Sequence, residues 1–161
     1  MYTVGILTVS DKGFTGERID TSGDAIQAFL EEKGFSVIKR GVVPDEIQRI
    51  RDTLKEWISE EINLIFTTGG TGLAPRDVTP QAMEALFDYE LPGIPEAMRA
   101  YGLKFTPHAM LSRARAGVKG RTLIINLPGS KRGALEGLEA IFSALPHALS
   151  KLLGDPTDCG I

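Results

Sequence analysis

Several familiar sources of stability and chemistry are closed to this chain by what it lacks. It has one cysteine, Cys159, which excludes an internal disulfide and any multi-cysteine metal site. Its position near the C-terminus, where chains fray, makes it incidental. The two histidines, His108 and His147, lie far apart and have no ligand spacing. Both read as structural or surface residues, and no Ser-His-Asp or Cys-His arrangement follows from the spacing. No apolar run approaches the roughly 18 residues of a membrane span. The start of the chain passes directly into an apolar run, Val4 to Val9, with no basic lead and no cleavage signature. A secretory signal is therefore not expected, and a cytoplasmic location is. A net charge of −3 argues against a general nucleic-acid binder.

The 161 residues are 42% apolar and 24% charged. That composition suits a globular fold with a core that needs no staples. The length predicts one domain over residues 1–161. Charge is unevenly spread, with nine basic and sixteen acidic residues in 1–90, and nine and five in 91–161. The asymmetry suits a metal and an anion sharing one site. A chance segregation of surface charge is the plainer account.

Strand and helix patterns alternate along the chain. Val4–Val9 reads as a buried strand, followed by a long polar loop, Ser10 to Asp20, with Gly13 and Gly16 as breakers. A helix is expected from Ser22, as N-cap, to Lys33, with Gly34 as its stop. Residues 35–43 form a second strand, and Pro44-Asp45-Glu46 opens a helix with the apolar stripe Ile47, Ile50, Leu54, Trp57 and Ile58. Trp57 reads as core. Residues 63–68 form a third strand, and Thr79-Pro80 a helix start with Thr79 as N-cap. Helical pieces are expected over 94–105 and 108–113, and a strand over 122–127. Ser130 caps a final helix that Pro146 kinks or breaks. A strand near Ala116-Gly117-Val118 is expected to pair antiparallel. The alternation implies an α/β domain, a mostly parallel sheet with helices on both faces.

Ligands in such sheets bind at the carboxyl ends of strands, and the informative segments fall there. Thr67-Thr68-Gly69-Gly70-Thr71-Gly72 is the strongest. Its glycines remove side chains where a ligand would approach, and its N–H groups and threonine hydroxyls suit phosphate or pterin oxygens. It is neither a Walker A loop nor a dinucleotide fingerprint. A simple chain reversal is the bland alternative. Asp45 and Asp77, beside this loop, suggest a magnesium site, because magnesium takes one or two carboxylates and completes its shell with phosphate. Helix capping is the alternative for each. Asp11 is a weaker third candidate. Arg113, Arg115, Lys119 and Arg121 form a basic cluster, and Ser130 and Lys131 stand at a helix N-terminus that favours anions. A solvated basic face is the bland account of the cluster.

Read together, Thr8-Val9-Ser10-Asp11, Asp20-Thr21-Ser22-Gly23, Val43-Pro44-Asp45-Glu46, Thr68-Gly69-Gly70-Thr71-Gly72, Pro75-Arg76-Asp77-Val78-Thr79-Pro80, Met110-Leu111-Ser112-Arg113, Ala116-Gly117 and Ile125-Asn126-Leu127-Pro128-Gly129 resemble one family in order and content. It is the MogA-like and gephyrin G-domain family of molybdopterin adenylyltransferases, of molybdenum cofactor biosynthesis. The resemblance implies a three-layer α/β/α fold, usually a homotrimer. It implies magnesium-dependent transfer of AMP from ATP to molybdopterin, with release of pyrophosphate. It places Asp45 at the metal and nucleotide phosphate and Asp77 at the pterin side. Thr68, Gly69, Gly70, Thr71, Gly72, Ser112 and Arg113 become candidate pterin and phosphate contacts, and Ser10, Asp11, Gly129 and Ser130 candidate nucleotide contacts. Partner enzymes that handle molybdopterin are a further implication. Two alternatives remain, a non-catalytic pterin-binding or scaffold paralogue and a nucleotide hydrolase of the competence-damage type.

Overall fold

The computed structural model describes residues 1–160. Among the described residues, six strands form one sheet: β1 (Thr3–Val9), β2 (Ser36–Val43), β3 (Leu64–Thr68), β4 (Tyr89–Glu90), β5 (Ala116–Lys119) and β6 (Thr122–Leu127). Their order is β2-β1-β3-β6-β5-β4. The first four in that order run parallel, and β5 and β4 add an antiparallel edge. The antiparallel placement of residues 116–118 agrees with expectation, whereas the two-residue strand β4 has no counterpart in the sequence pattern.

Seven helices among the described residues cover the sheet: α1 (Asp11–Thr15), α2 (Thr21–Glu32), α3 (Ile47–Ser59), α4 (Thr79–Met83), α5 (Gly93–Gly102), α6 (Lys131–Ile141) and α7 (Leu145–Leu152). Strand side chains alternate between two cores. Val4, Ile6, Leu64, Phe66, Leu123 and Ile125 pack with Ile26 and Leu30 of α2, Met98 of α5, Leu138 of α6 and Leu149 of α7. Leu7, Val9, Ile65 and Ile124 pack on the other face with Ile50, Leu54 and Trp57 of α3 and Met83 of α4. The result is the expected three-layer α/β/α arrangement. Trp57 is core, 4% exposed, and lies over the backbone of β1 and β2. A Cβ on Gly5 would come 2.7 Å from its ring, which is why a strand so rich in branched residues carries a glycine there.

Several local expectations shift. The polar loop after β1 contains α1, capped by Ser10, whose Oγ accepts from the Gly13 N–H at 3.0 Å. Asp20, rather than Ser22, caps α2 by accepting from Gly23 N–H. The second strand begins at Ser36, and Phe35 turns into the core beside Tyr2 and Phe142. Residues 107–111 form a 3-10 turn. Pro146 does not break the last helix. The break is a 3-10 turn at Phe142–Ala144, and Pro146 sits in the first turn of α7, where its missing N–H costs nothing.

From β1 the chain passes outward to β2, then returns past β1 to β3. The carboxyl ends of β1 and β3 therefore flank a topological switch point, the place where such sheets open a crevice.

Candidate functional site

The glycine loop leaves β3 with two successive left-handed residues, Gly69 at φ 104° and Gly70 at φ 69°. L-residues rarely hold this conformation. A Cβ on Gly69 would strike the Val9 carbonyl oxygen, and one on Gly70 the Thr79 hydroxyl. These two glycines are thus required by the protein's packing on itself, and their Cβ directions point inward. Thr79 explains the tether. Its hydroxyl donates to Gly69 O at 2.9 Å, and its N–H to Gly70 O at 3.1 Å. Thr79 is fully buried and does not cap α4, whose N-cap is Val78.

Two of the three threonine hydroxyls are engaged inside the protein. Thr67 Oγ1 accepts from Asn126 Nδ2 at 2.9 Å, and Thr68 Oγ1 donates to Pro128 O at 2.7 Å. Thr71 is buried and lines the cleft.

Neither aspartate caps the helix beside it. The N-cap of α3 is Glu46, without a side-chain bond. Asp45 instead forms a reciprocal clasp with Asp11. Asp11 N–H donates to Asp45 Oδ2 at 2.9 Å, and Asp45 N–H donates to Asp11 Oδ1 at 3.0 Å. Asp77 turns back within its own loop, accepting from Ala74 N–H at 2.9 Å. Burial pushes the half-buried Asp45 carboxyl above the ordinary carboxylate value, and the charges of Asp11 and Asp77 add to this, against the Asp11 N–H bond. Arg76 holds Asp11 below that value through its side-chain hydrogen bonds, helped by the Asp45 N–H.

These elements border a cleft of about 600 Å³. Of the residues expected at a site, Ser10, Asp45, Thr68, Gly69, Gly70, Thr71, Gly72, Asp77, Ser112, Gly129 and Ser130 line it. Segments more than 100 residues apart are brought together here. Asp11 and Arg113 are not on its wall. The Arg113 guanidinium donates to Gly72 O at 2.9 Å and Asp77 O at 2.7 Å, which makes it a strut of the glycine loop. The rest of the basic cluster is engaged likewise. Arg115 meets Glu90 and Pro80 O, Lys119 meets Asp88, and Arg121 meets Leu153 O. Arg113 and Arg115 turn into the protein, while Lys119 and Arg121 remain exposed, so the cluster is a solvated face only in part.

Sequence reasoning missed other parts of the wall. His108, which reads as a structural or surface residue, is exposed and lines the cleft, as do Arg18, Asp20, Ser22, Arg99 and Glu136. Ser22 reads as a cap and as part of the Asp20-Thr21-Ser22-Gly23 segment, without an assigned role at the site. Its buried hydroxyl instead donates to Gly129 O at 2.6 Å, joining α2 to the turn before α6. Asp20 accepts from Thr8 Oγ1 at 2.8 Å and from Arg40 at 2.7 Å. Its signals in the sequence were its place in the long polar loop and in the Asp20-Thr21-Ser22-Gly23 segment of the family resemblance.

Fold and cleft together define an α/β domain with an open cleft at the switch point, bordered by a tethered glycine loop. Residues 5–147 match the family described as "probable molybdopterin binding domain", and the chain belongs to that family. It is 41% identical over 155 residues to the molybdopterin adenylyltransferase of Helicobacter pylori, covering 94% of this chain and 88% of that protein. It is 41% identical over 165 residues to gephyrin of Dictyostelium discoideum, covering 96% of this chain but only 23% of gephyrin. The molybdopterin biosynthesis enzyme MoaB of Thermus thermophilus superposes with a TM-score of 0.91 at 55% identity, covering 98% of this chain and all of that one.

Proposed function

We propose that this chain is a molybdopterin adenylyltransferase, acting as a single domain over residues 1–161. An oxygen nucleophile of the pterin attacks the α-phosphorus of ATP. The new P–O bond forms as the α–β bridge breaks, and pyrophosphate leaves with that electron pair. The observation that carries the reading is Asp45. It is a half-buried carboxylate on the wall of a cleft of about 600 Å³, beside a glycine loop. The family match and the names of the full-length relatives support the substrate class.

The residues fit magnesium in one specific way. Among the described residues no three His, Cys, Asp or Glu side chains are grouped to hold a metal ion. Magnesium commonly takes one or two carboxylates and completes its shell with water and substrate phosphate. Asp45, pushed up by burial and by neighbouring carboxylates, stands in a field that favours a cation. Magnesium bound there supplies charge neutralisation at the reacting phosphate. Asp45 would hold it, with Asp77 positioning the pterin. Thr68, Gly69, Gly70, Thr71, Gly72 and Ser112 would contact pterin and phosphate. Ser10, Gly129 and Ser130 would contact the nucleotide, and Asp11 would act from behind Asp45.

Incubation of the purified protein with molybdopterin, ATP and magnesium should yield adenylyl-molybdopterin and pyrophosphate, read by mass spectrometry. Binding of pterin without adenylylation would instead identify a scaffold. Phosphate release from ATP without pterin would identify a hydrolase. The family resemblance also supports a cytoplasmic homotrimer that exchanges pterin with partner enzymes. Light scattering should then give three times 17.4 kDa or a multiple.

A further inference from the structure

Arg76 lies in the loop after the glycines, at the edge of the site and off its wall. Its side chain is 60% exposed. An exposed ion pair generally contributes little to stability, yet this one uses both arms of the guanidinium fork. Nε donates to Asp11 Oδ2 at 2.7 Å, and Nη2 to Asp11 Oδ1 at 2.8 Å. The same Asp11 Oδ1 accepts the Asp45 N–H, and the Asp11 N–H holds Asp45 Oδ2. The chain of contacts therefore runs Arg76 to Asp11 to Asp45, and each member comes from the end of a different strand: β3, β1 and β2.

The arrangement leaves Asp45 one less committed oxygen. Oδ2 is taken by Asp11, while Oδ1 lies 3.3 Å from where a Gly70 Cβ would stand, beside the glycine loop. Asp45 lines the cleft, and Asp11 and Arg76 do not. Without Arg76, three carboxylates, Asp11, Asp45 and Asp77, would share the corner with no cation between them, and like charges at this range repel. Resting on the adenylyl-transfer reading, we propose that Arg76 is a positioning residue. Through its bidentate grip on Asp11 it fixes the orientation of Asp45, and it touches neither ATP nor pterin. A planar fork suits this task, and a lysine supplies the charge without the geometry.

Two readouts test the clasp. In metal-free protein, amide hydrogen exchange by NMR reports the Asp45 and Asp11 N–H groups directly. Arg76→Ala should speed exchange at both by about tenfold while the core amides of β3 stay unchanged, because only a local opening is eased. Arg76→Lys should fall between wild type and Arg76→Ala. In the adenylylation assay Arg76→Ala should lower kcat by about tenfold or more, since a small misplacement near a reacting centre is costly, with KM for ATP within about twofold. The double variant Asp11→Asn/Arg76→Ala should be no slower than the slower single variant, as expected of residues acting in one chain of contacts. Unchanged exchange at Asp45 overturns the clasp. Losses that multiply in the double variant overturn the route through Asp11, because Arg76 would then act on the substrate itself. If the wild-type protein does not transfer AMP at all, the functional reading falls, and the exchange measurement alone decides the clasp.

Discussion

The two ends of the cleft are built from different material. At the ends of β1 and β2 the chain places charge: the Asp45 and Asp11 carboxylates, with Arg76 behind them. At the ends of β3 and β6 it places backbone, with Gly69 and Gly70 in left-handed conformation and Gly129 packed against Gly69. The Thr68 and Ser22 hydroxyls there hold the carbonyls of Pro128 and Gly129. The charged end is positioned by individual hydrogen bonds, so a side chain can change its chemistry there with the fold intact. The backbone end is positioned by close packing, so a substitution there tests folding before it tests binding.

The widest separation between the two ends should come from Asp45→Asn. Asparagine can still accept the Asp11 N–H but loses the charge that a cation needs. Adenylylation should drop at least about a hundredfold, roughly 2.7 kcal/mol of barrier, with no loss in melting temperature. Near-normal turnover at limiting magnesium would remove Asp45 from the metal.

Gly70→Val should break the contrast from the other side. At φ 69°, with its Cβ directed at the Thr79 hydroxyl, valine adds strain and a clash, costing about 2–3 kcal/mol. Pterin binding should fail together with thermal stability. A fully stable variant that no longer binds pterin would mean that the glycine serves the ligand alone.

Thr79→Val sharpens the account of the backbone end. It removes a buried donor to Gly69 O and should cost about 1–2 kcal/mol in urea unfolding. A stability change within error would show that the loop does not depend on this tether.

The smallest effect is a pH slope at the charged end. Asp45 holds its proton longer in the folded, metal-free protein than in the unfolded chain, because its value is raised from 3.8 chiefly by burial. The stability carried by that proton is present below the unfolded value and is lost as pH rises through the folded one. Asp45→Asn lacks this loss. Its melting temperature should equal or exceed that of wild type at pH 7, and the gap should close as pH falls toward 3.8. A gap that widens on acidification would reverse the sign assigned to Asp45.

Much of the framework was legible from contiguous residues. The runs that became β1, β3 and β6 and the stripe of α3 carry their own periodicity, and Ser130 carries its own capping signal. The glycine loop, Asp45 and Asp77 stood out because polar and glycine residues cluster at strand ends for few reasons other than turning or binding. What could not be read was the direction in which each polar group spends its hydrogen bond. Thr79 and Ser22 look like caps and serve as tethers. Arg113 looks like an anion contact and is a strut. Asp45 looks like a cap of α3 and is clasped by a residue 34 positions earlier. Local pattern determined where strands, helices and turns begin, because those preferences arise within a few residues of backbone. Only the tertiary structure decided the partners, because a donor and an acceptor from distant segments meet only once the sheet has set its strand order and register.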